Sequence, residues 1–366
     1  MAGGGSAPRR WADLLRAVEA GGIGPVVHDH RRAGPGRVFV AIRGHRVDAR
    51  TFAVQAARAG CAAVVARGAP PPDWPADGRC TWVRVADDRR ALSRLAAAQW
   101  RHPSRDLGVT AVTGTNGKTT VTYLLEAIWR AAGVSCGRIG TVEIRFGDKS
   151  YPPVLTTPDP VDLHRWLARM RRAGVREVAM EASSHALAQR RIDDVAVDVA
   201  VLTNVRRDHL DYHPSWRAYR EAKGRLFTRI LAAGEGGAAV LPVGEAAAVR
   251  FAARRRGRVL WYGLRPEEGW GPGRRSPDAQ AEDLVPRRWG MRMRLCLPDG
   301  SRTVDLPLPG RFNVLNAVAA ALAAHARGAG VEEAARGLET AGGVPGRVEV
   351  VHEGEFAVLL DFAHNP

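Results

Sequence analysis

The sequence predicts a multidomain α/β protein, with a small N-terminal α/β domain followed by a larger, doubly wound central domain that carries a phosphate loop. Three observations carry this expectation. At 366 residues the chain exceeds one typical domain. Apolar strand-like runs alternate with helix-like segments, as parallel sheets covered by helices require. One strand-to-helix junction, "VTAVTGTNGKTTVTYLL" at 109–125, turns through small polar residues and glycines onto Lys118.

Taken in order, "RVFVAI" is a short β-like run, "TFAVQAARAG" has helical spacing and ends on Gly60, and "CAAVVA" reads as a buried strand. The Pro-, Gly- and Asp-rich "RGAPPPDWPADGR" is a loop, and the helix "DDRRALSRLAAAQWRHPS" leads to a boundary near residue 107. Beyond it "GVTAVTG" is a strand and Lys118 to Ala132 a helix. "REVAMEAS" and "VDVAVLTNV" are strands apolar on both faces, as in a parallel sheet. Residues 265–290, rich in Gly, Pro and Arg, read as loop. "MRMRLCLPDGSRTVDLPLPG" reads as a hairpin turning at Asp299-Gly300, "NVLNAVAAALAAHARGAG" as a helix stopped by glycine, and "FAVLLDFA" as the start of a strand.

Composition narrows the class. The net charge of +16 suits a polyanionic partner or a phosphate-rich small ligand, and equally follows from arginine drift on solvated faces. The arginines are scattered and no nucleic-acid motif occurs, which argues against a nucleic-acid partner. Of the 54 basic residues only three, Lys118, Lys149 and Lys223, are lysines. A lysine retained under such a bias marks places where a compact, reactive amine is wanted and a permanently charged guanidinium is not. Cys61, Cys80, Cys136 and Cys296 form no CxxC pair and read as buried thiols in a reducing compartment. "MAGGGSAPRRWADLL" lacks a signal-peptide core, and Asn316, His325 and Arg327 interrupt the alanine run near 320. A cytoplasmic protein without a membrane span is therefore expected.

The loop Gly114, Thr115, Asn116, Gly117, Lys118, Thr119, Thr120 is suited to a triphosphate. Its glycines let backbone N–H groups turn inward and the helix N-terminus adds a positive dipole end. Lys118 would reach the β- and γ-phosphates, and the Thr119 hydroxyl would hold Mg2+. A strict Walker pattern has glycine at 112, where this chain has Val112.

"TGTNGKTT" resembles the nucleotide loop of the Mur ligase family, which builds the peptide of bacterial cell-wall precursors. Within it the chain is most similar to the ligases that add the third amino acid to UDP-MurNAc-L-Ala-D-Glu. The resemblance extends through "GRVFVAIRGHRVDARTF", "LTTPDP", "MEASSHALAQRR", "TNVRRDHLDYH", "YREAKGRLF", "LPGRFNVLNA", "GRVEV" and "DFAHNP". It implies a UDP-MurNAc-binding domain over 1–107, a central ATP-binding domain over 108–343, and over 344–366 the beginning of a truncated, Rossmann-like third domain.

The resemblance also implies roles. Glu181 and His209 would hold a second Mg2+. A carboxylate at a strand's C-terminal end faces the ligand crevice and offers the hard oxygen this ion takes, although an acid there can also cap a helix. Lys223 has the spacing of an ordinary surface lysine on a helix. In the family it is carbamylated: a neutral amine and CO2 give an anionic oxygen ligand, which arginine cannot form. Lys149 receives no role. Thr156, Thr157, Ser183, Gln189 and Arg191 resemble the residues that hold the UDP-MurNAc-dipeptide, and His45, Arg46 and Val47 resemble the uridine-side contacts. "TTP" and "SSH" clusters also serve as loop and capping chemistry. Asn313 and Asn316 resemble the neighbourhood of the nucleotide base and equally suit N-caps of the alanine-rich helix. The chain departs from the family pattern at His30, where a serine usually stands between Asp29 and Arg31, and at Phe362 and Asn365 in "DFAHNP".

The reaction implied is ATP-dependent amide ligation through an acyl phosphate on the D-Glu carboxylate, with Lys118, Glu181, His209 and carbamylated Lys223 at the reacting centre. The incoming amine would be diaminopimelate or lysine, with diaminopimelate the commoner. Three other readings stand beside it. The chain could be a fragment or pseudoenzyme that needs a separately encoded C-terminal domain. It could be a P-loop ATPase of another class, which has no use for Lys223. It could be a nucleic-acid binder with steeply salt-dependent affinity.

Overall fold

A computed structural model describes residues 10–44, 47–231, 234–255, 257–266 and 276–362. By its internal contacts the chain forms two compact units. The first comprises Met1–Arg105, Pro158–Arg169 and Gln189–Val195; the second comprises Asp106–Thr157, Met170–Ala188 and Ala196–Pro366.

The first unit is a four-stranded parallel sheet in the order β1 (Val26–Val27), β2 (Val38–Val40), β3 (Ala63–Ala66) and β4 (Thr81–Arg84). Strands β1, β2 and β3 are short, apolar and buried on both faces, so each face must be covered. Helices α1 (Trp11–Glu19) and α3 (Asp88–Gln99) cover one face with Leu14, Val18, Leu92 and Leu95. Helix α2 (Ala53–Arg58) packs its alanines against Phe39 and Val64 on the other. Asp87 starts α3 by accepting from the backbone N–H of Arg90 at 3.0 Å. His30 is stacked on Phe52, with ring centroids 3.7 Å apart.

The second unit is built on an eleven-stranded sheet. Its strands are β5 (Gly108–Thr113), β6 (Cys136–Ile139), β7 (Ile144–Phe146), β8 (Lys149–Tyr151), β9 (Glu177–Glu181), β10 (Val199–Leu202), β11 (Gly234–Pro242), β12 (Gly257–Leu264), β13 (Ala279–Arg287), β14 (Gly290–Leu297) and β15 (Gly300–Leu306). The order is β15-β14-β13-β12-β11-β10-β5-β9-β6-β7-β8, parallel from β13 to β6 and antiparallel at both edges. The helices of the chain that follow α3 are α4 (Lys118–Ala131), α5 (Pro160–Arg172), α6 (Ser184–Ala188), α7 (Trp216–Arg225), α8 (Ala246–Ala253), α9 (Arg311–His325) and α10 (Val331–Glu339). Helix α9 is apolar nearly all round and is accordingly buried, packed with α10 against α4. A separate antiparallel pair, β16 (Glu349–Glu353) and β17 (Ala357–Leu360), completes the described chain.

Two expectations need correction. The stretch 265–290 is not all loop, because β13 occupies 279–287 and pairs with both β12 and β14. Asn313 and Asn316 are not N-caps: α9 starts at Arg311, its N-cap is Gly310, and both asparagines lie inside the helix. Helices α1, α5, α6, α8 and α10 and strands β1, β4, β6, β7, β8, β11, β12 and β16 add to the elements read from sequence. No helix of the described residues is long and apolar enough to cross a membrane. Cys61, Cys80 and Cys136 are buried free thiols, whereas Cys296, also free, is only partly buried, against expectation.

His164, on α5, is wholly buried, and neither ring nitrogen has a hydrogen-bond partner among the described residues. Burial pushes its pKa from 6.5 down to about 3, with the charge on His102 adding to the shift. The neutral ring is thus the folded form. Its contribution is complete above the unfolded pKa of 6.5 and is lost as pH falls toward 3. Between these values stability should fall by up to about 1.4 kcal/mol per pH unit from this group. His164→Leu should flatten that limb, measured as urea midpoints at pH 7 and pH 4.5; equal slopes for both proteins would contradict the assignment.

Candidate functional site

Strand β5 is buried along its whole length, and the chain leaves it through Gly114–Gly117 to enter α4. Gly114 has φ of 156° and Gly117 has φ of 86°, backbone that favours glycine. Space demands glycine as well. A Cβ at 114 would collide with the Thr203 hydroxyl, and one at 117 with the Asn316 side chain. The loop is held from β10's end: Thr203 Oγ1 donates to Asn116 O at 2.5 Å, and Asn204 exchanges two bonds with the Asn116 backbone at 3.1 Å each. Thr115 Oγ1 accepts from Arg206 N at 2.9 Å and meets Tyr219 Oη at 2.9 Å.

Two lysine amines converge on this loop. Lys118 Nζ donates to Gly114 O at 3.0 Å and Thr115 O at 2.8 Å, and Lys223 Nζ donates to the same Gly114 O at 2.6 Å. Lys223 is 1% exposed, so it is not the surface lysine its helix spacing suggests. Burial pushes its pKa well below the usual lysine range, and the neighbouring Lys118 charge pushes the same way. Burial also lowers Lys118, opposed by the Glu181 carboxylate.

Glu181 ends β9 and is 1% exposed. Its carboxylate accepts from Thr119 Oγ1 at 3.1 Å, Thr141 N at 2.8 Å and Thr141 Oγ1 at 3.1 Å. Thr157 Oγ1 donates to Glu181 O at 2.7 Å and accepts from Ser183 N at 3.1 Å, while Thr156 Oγ1 lies 3.1 Å from Thr141 Oγ1, within reach to donate to it. The sequence-derived Thr119, Thr156, Thr157, Glu181 and Ser183 therefore share one hydrogen-bonded group, with Thr141 as its unforeseen link.

His209 has φ of 50° and a half-exposed ring 3.5 Å from the Asp208 carboxylate. It joins a cluster of His185, Tyr212, His213 and Tyr219, lying 4.9 Å from His185 and 6.3 Å from Tyr219 between ring centroids. Among the described residues no three His, Cys, Asp or Glu side chains gather as a metal site. The donors present are Glu181, Thr119 and His209, hard oxygens and an imidazole, and a carbamate at Lys223 would supply another oxygen.

A cavity of about 570 Å³ opens beside the loop. Asn116, Gly117 and Thr120 line it with Asn313 and Asn316, whose side chains are bonded at 3.2 Å. Its far wall includes Glu245, Tyr262, Arg347, Asp361 and Phe362, none of which the sequence reading had assigned to a site. Arg206 bridges to Glu245 at 2.8 Å. Phe362, one of the departures noted above, is largely exposed on this wall, with the Arg347 guanidinium 5.6 Å from its ring centroid.

The remaining candidates belong to the first unit or lie outside the described residues. Gln189 and Arg191 belong to the first unit, where Gln189 Oε1 accepts from the Arg191 guanidinium at 3.1 and 2.8 Å. Val47, also in that unit, is exposed. His45, Arg46 and Asn365 lie outside the described residues.

The model of the Mur ligase middle domain matches residues 112–324. The chain belongs to the Mur ligase family. It is 40% identical over 92% of its length to the UDP-N-acetylmuramoyl-L-alanyl-D-glutamate–2,6-diaminopimelate ligase of Geobacillus kaustophilus, covering 67% of that protein. It is 39% identical over 97% of its length to the ligase of the same name from Geobacter metallireducens, covering 69%. A solved structure of a Mur ligase with this name superimposes with a TM-score of 0.78 at 29% identity, over 93% of this chain and 67% of the other. The chain thus spans about two thirds of the length of these Mur ligases.

The loop's demand for glycine can be tested directly. Gly117→Ala combines a left-handed backbone with a collision against Asn316, and should lose about 1–3 kcal/mol of stability. Nucleotide binding should fall with it, measured by thermal melting and by titration with a fluorescent ADP analogue. An unchanged melting temperature and affinity would show that the loop tolerates a side chain.

Proposed function

We propose that the protein acts in an ATP-dependent amide ligase that adds the third amino acid, diaminopimelate, to UDP-MurNAc-L-Ala-D-Glu. The observation that carries this reading is the convergence of Lys118 and Lys223 on Gly114 O, one strand from the Glu181–Thr119 pair. A phosphate loop alone explains Lys118. A second buried amine on the same carbonyl has no use in simple ATP hydrolysis, and a poorly protonated amine is the form that takes up CO2.

In this reading the loop N–H groups and Lys118 hold the triphosphate, and the cavity beside Asn313 and Asn316 receives the base and ribose. Glu181, Thr119, His209 and carbamylated Lys223 are the residues that would hold Mg2+. The bound ion would neutralise charge on the transferring phosphoryl group and the accepting carboxylate. Thr156, Thr157, Ser183, Gln189 and Arg191 would orient the sugar-linked dipeptide, with His45, Arg46 and Val47 toward the uridine. The D-Glu carboxylate attacks the γ-phosphorus and ADP leaves; the amine then attacks the acyl carbon and phosphate leaves. Carboxylate oxygen is a poor leaving group and phosphate a good one. The protein's part is placement and charge neutralisation.

The strand pair β16–β17 exposes Val351, Phe356, Val358, Leu359 and Leu360. An apolar surface of this kind supports a covering partner, here a C-terminal domain supplied in the same protein or separately. Ligation by residues 1–366 should then depend on that domain. Tripeptide formation, followed by mass spectrometry with and without the C-terminal domain of a related ligase, tests this; robust synthesis by the chain alone would refute it.

Lys223→Arg should reduce ligation by at least about a hundredfold while ADP affinity stays within a few-fold. Full activity in that variant would remove the carbamate from the reaction.

A further inference from the structure

His213, like His185, is an imidazole of the cluster that the proposed reaction leaves without a task. It is 3% exposed, and its Nε2 has no hydrogen-bond partner among the described residues. A buried polar atom in this state calls for a partner that the chain alone does not provide. His185 lies 5.6 Å from His213, Tyr212 4.9 Å and Tyr219 5.3 Å between ring centroids, and the His213 backbone N–H donates to His209 O at 2.9 Å. The Tyr219 ring that flanks His213 also lies 4.6 Å from Lys223 Nζ. An imidazole with its proton on Nε2 is a donor there.

Carbamylation changes what this corner needs. The neutral Lys223 amine adds to the carbon of CO2. The N–C bond forms, one C=O π pair moves onto oxygen, and an N–H proton passes to solvent. The remaining N–H can keep its bond to Gly114 O. Two new carboxylate-type oxygens then enter a buried space, and a metal ion accounts for only part of their lone pairs. Resting on the carbamate reading given above, we propose that His213 is a positioning residue whose Nε2–H donates to an oxygen of the Lys223 carbamate and so holds the modified side chain in place.

The test reads the carbamate itself. The protein is equilibrated with 13C-bicarbonate at pH 8, and the carbamate signal is followed by 13C NMR as bicarbonate is raised, without nucleotide or substrate. The wild type should show a saturable signal that Lys223→Ala abolishes. His213→Leu should raise the half-saturating bicarbonate about tenfold, and His213→Gln, which retains a donor, should recover most of that loss. If Lys223→Ala leaves the wild-type signal unchanged, or no signal is seen, the carbamate reading fails. If the signal is present and Lys223-dependent, but neither His213 variant shifts it while both remain folded by circular dichroism, the His213 assignment alone fails.

Discussion

Two amines donate to one carbonyl oxygen in the interior of this protein, and most of the site follows from that constraint. Removing one ammonium from water is costly, and removing two side by side is costlier, because their repulsion is poorly screened there. Lys118 and Lys223 are both displaced toward the neutral form by burial, with Lys118 adding to the displacement of Lys223. The arrangement persists because the Gly114 carbonyl accepts from both and the Glu181 carboxylate lies close enough to favour the Lys118 charge. A phosphate loop would keep its shape without Lys223. In a chain whose only other lysines are Lys118 and Lys149, the proposed carbamate would give this position a use for an amine that arginine cannot meet.

The sheet makes the convergence possible. β5 lies between β9 and β10, with Val112 in register with Glu181 on one side and Val201 on the other. Three adjacent strands therefore finish together. The first delivers the glycine loop, the second the Glu181 carboxylate, and the third Thr203 and Asn204, which clamp the loop backbone. Parallel neighbours joined through helices place their C-terminal ends on one edge, and the reversal of strand order at β5 opens the crevice there. Helix α7 adds the last component. Tyr219 and Lys223, four residues apart, share one face, so a single helix sends a phenol to Thr115 and an amine to Gly114.

The legible parts of the sequence were those whose signal is local. The β5–loop–α4 junction was visible because glycines, Lys118 and the change of hydrophobic period coincide within a few residues, and Glu181 because it closes an apolar run. Strand β13 was hidden by Glu282-Asp283 and Pro286, which interrupt the alternation where its register with β14 slips. Asn313 and Asn316 looked like caps because asparagine near a helix start usually is one. The glycine at 310, with φ of 93°, takes that place and turns them inward. Thr203, Asn204, Glu245 and Arg347 carry no such local mark. They reach the site through pairing and packing over separations of about forty residues or more, which one sequence does not display. The burial of Lys223 was likewise invisible, since α7 is polar in composition and only its contact face is covered.

The proposed carbamate resolves the opening constraint by changing a sign. As two protonated amines and one carboxylate, Lys118, Lys223 and Glu181 would sum to +1, a balance that welcomes a triphosphate and repels a divalent cation. With Lys223 carbamylated, the same three side chains carry one positive and two negative charges, a sum of −1. The repulsion across Gly114 O would become attraction, and a lysine would supply an oxygen ligand beyond those of the described His, Cys, Asp and Glu side chains. Arginine could satisfy the carbonyl but could not make this change, and a glutamate at 223 would be anionic without an N–H for Gly114. A lysine that can be modified meets both demands from one position: an N–H toward the loop, and a negative charge beyond it for the metal.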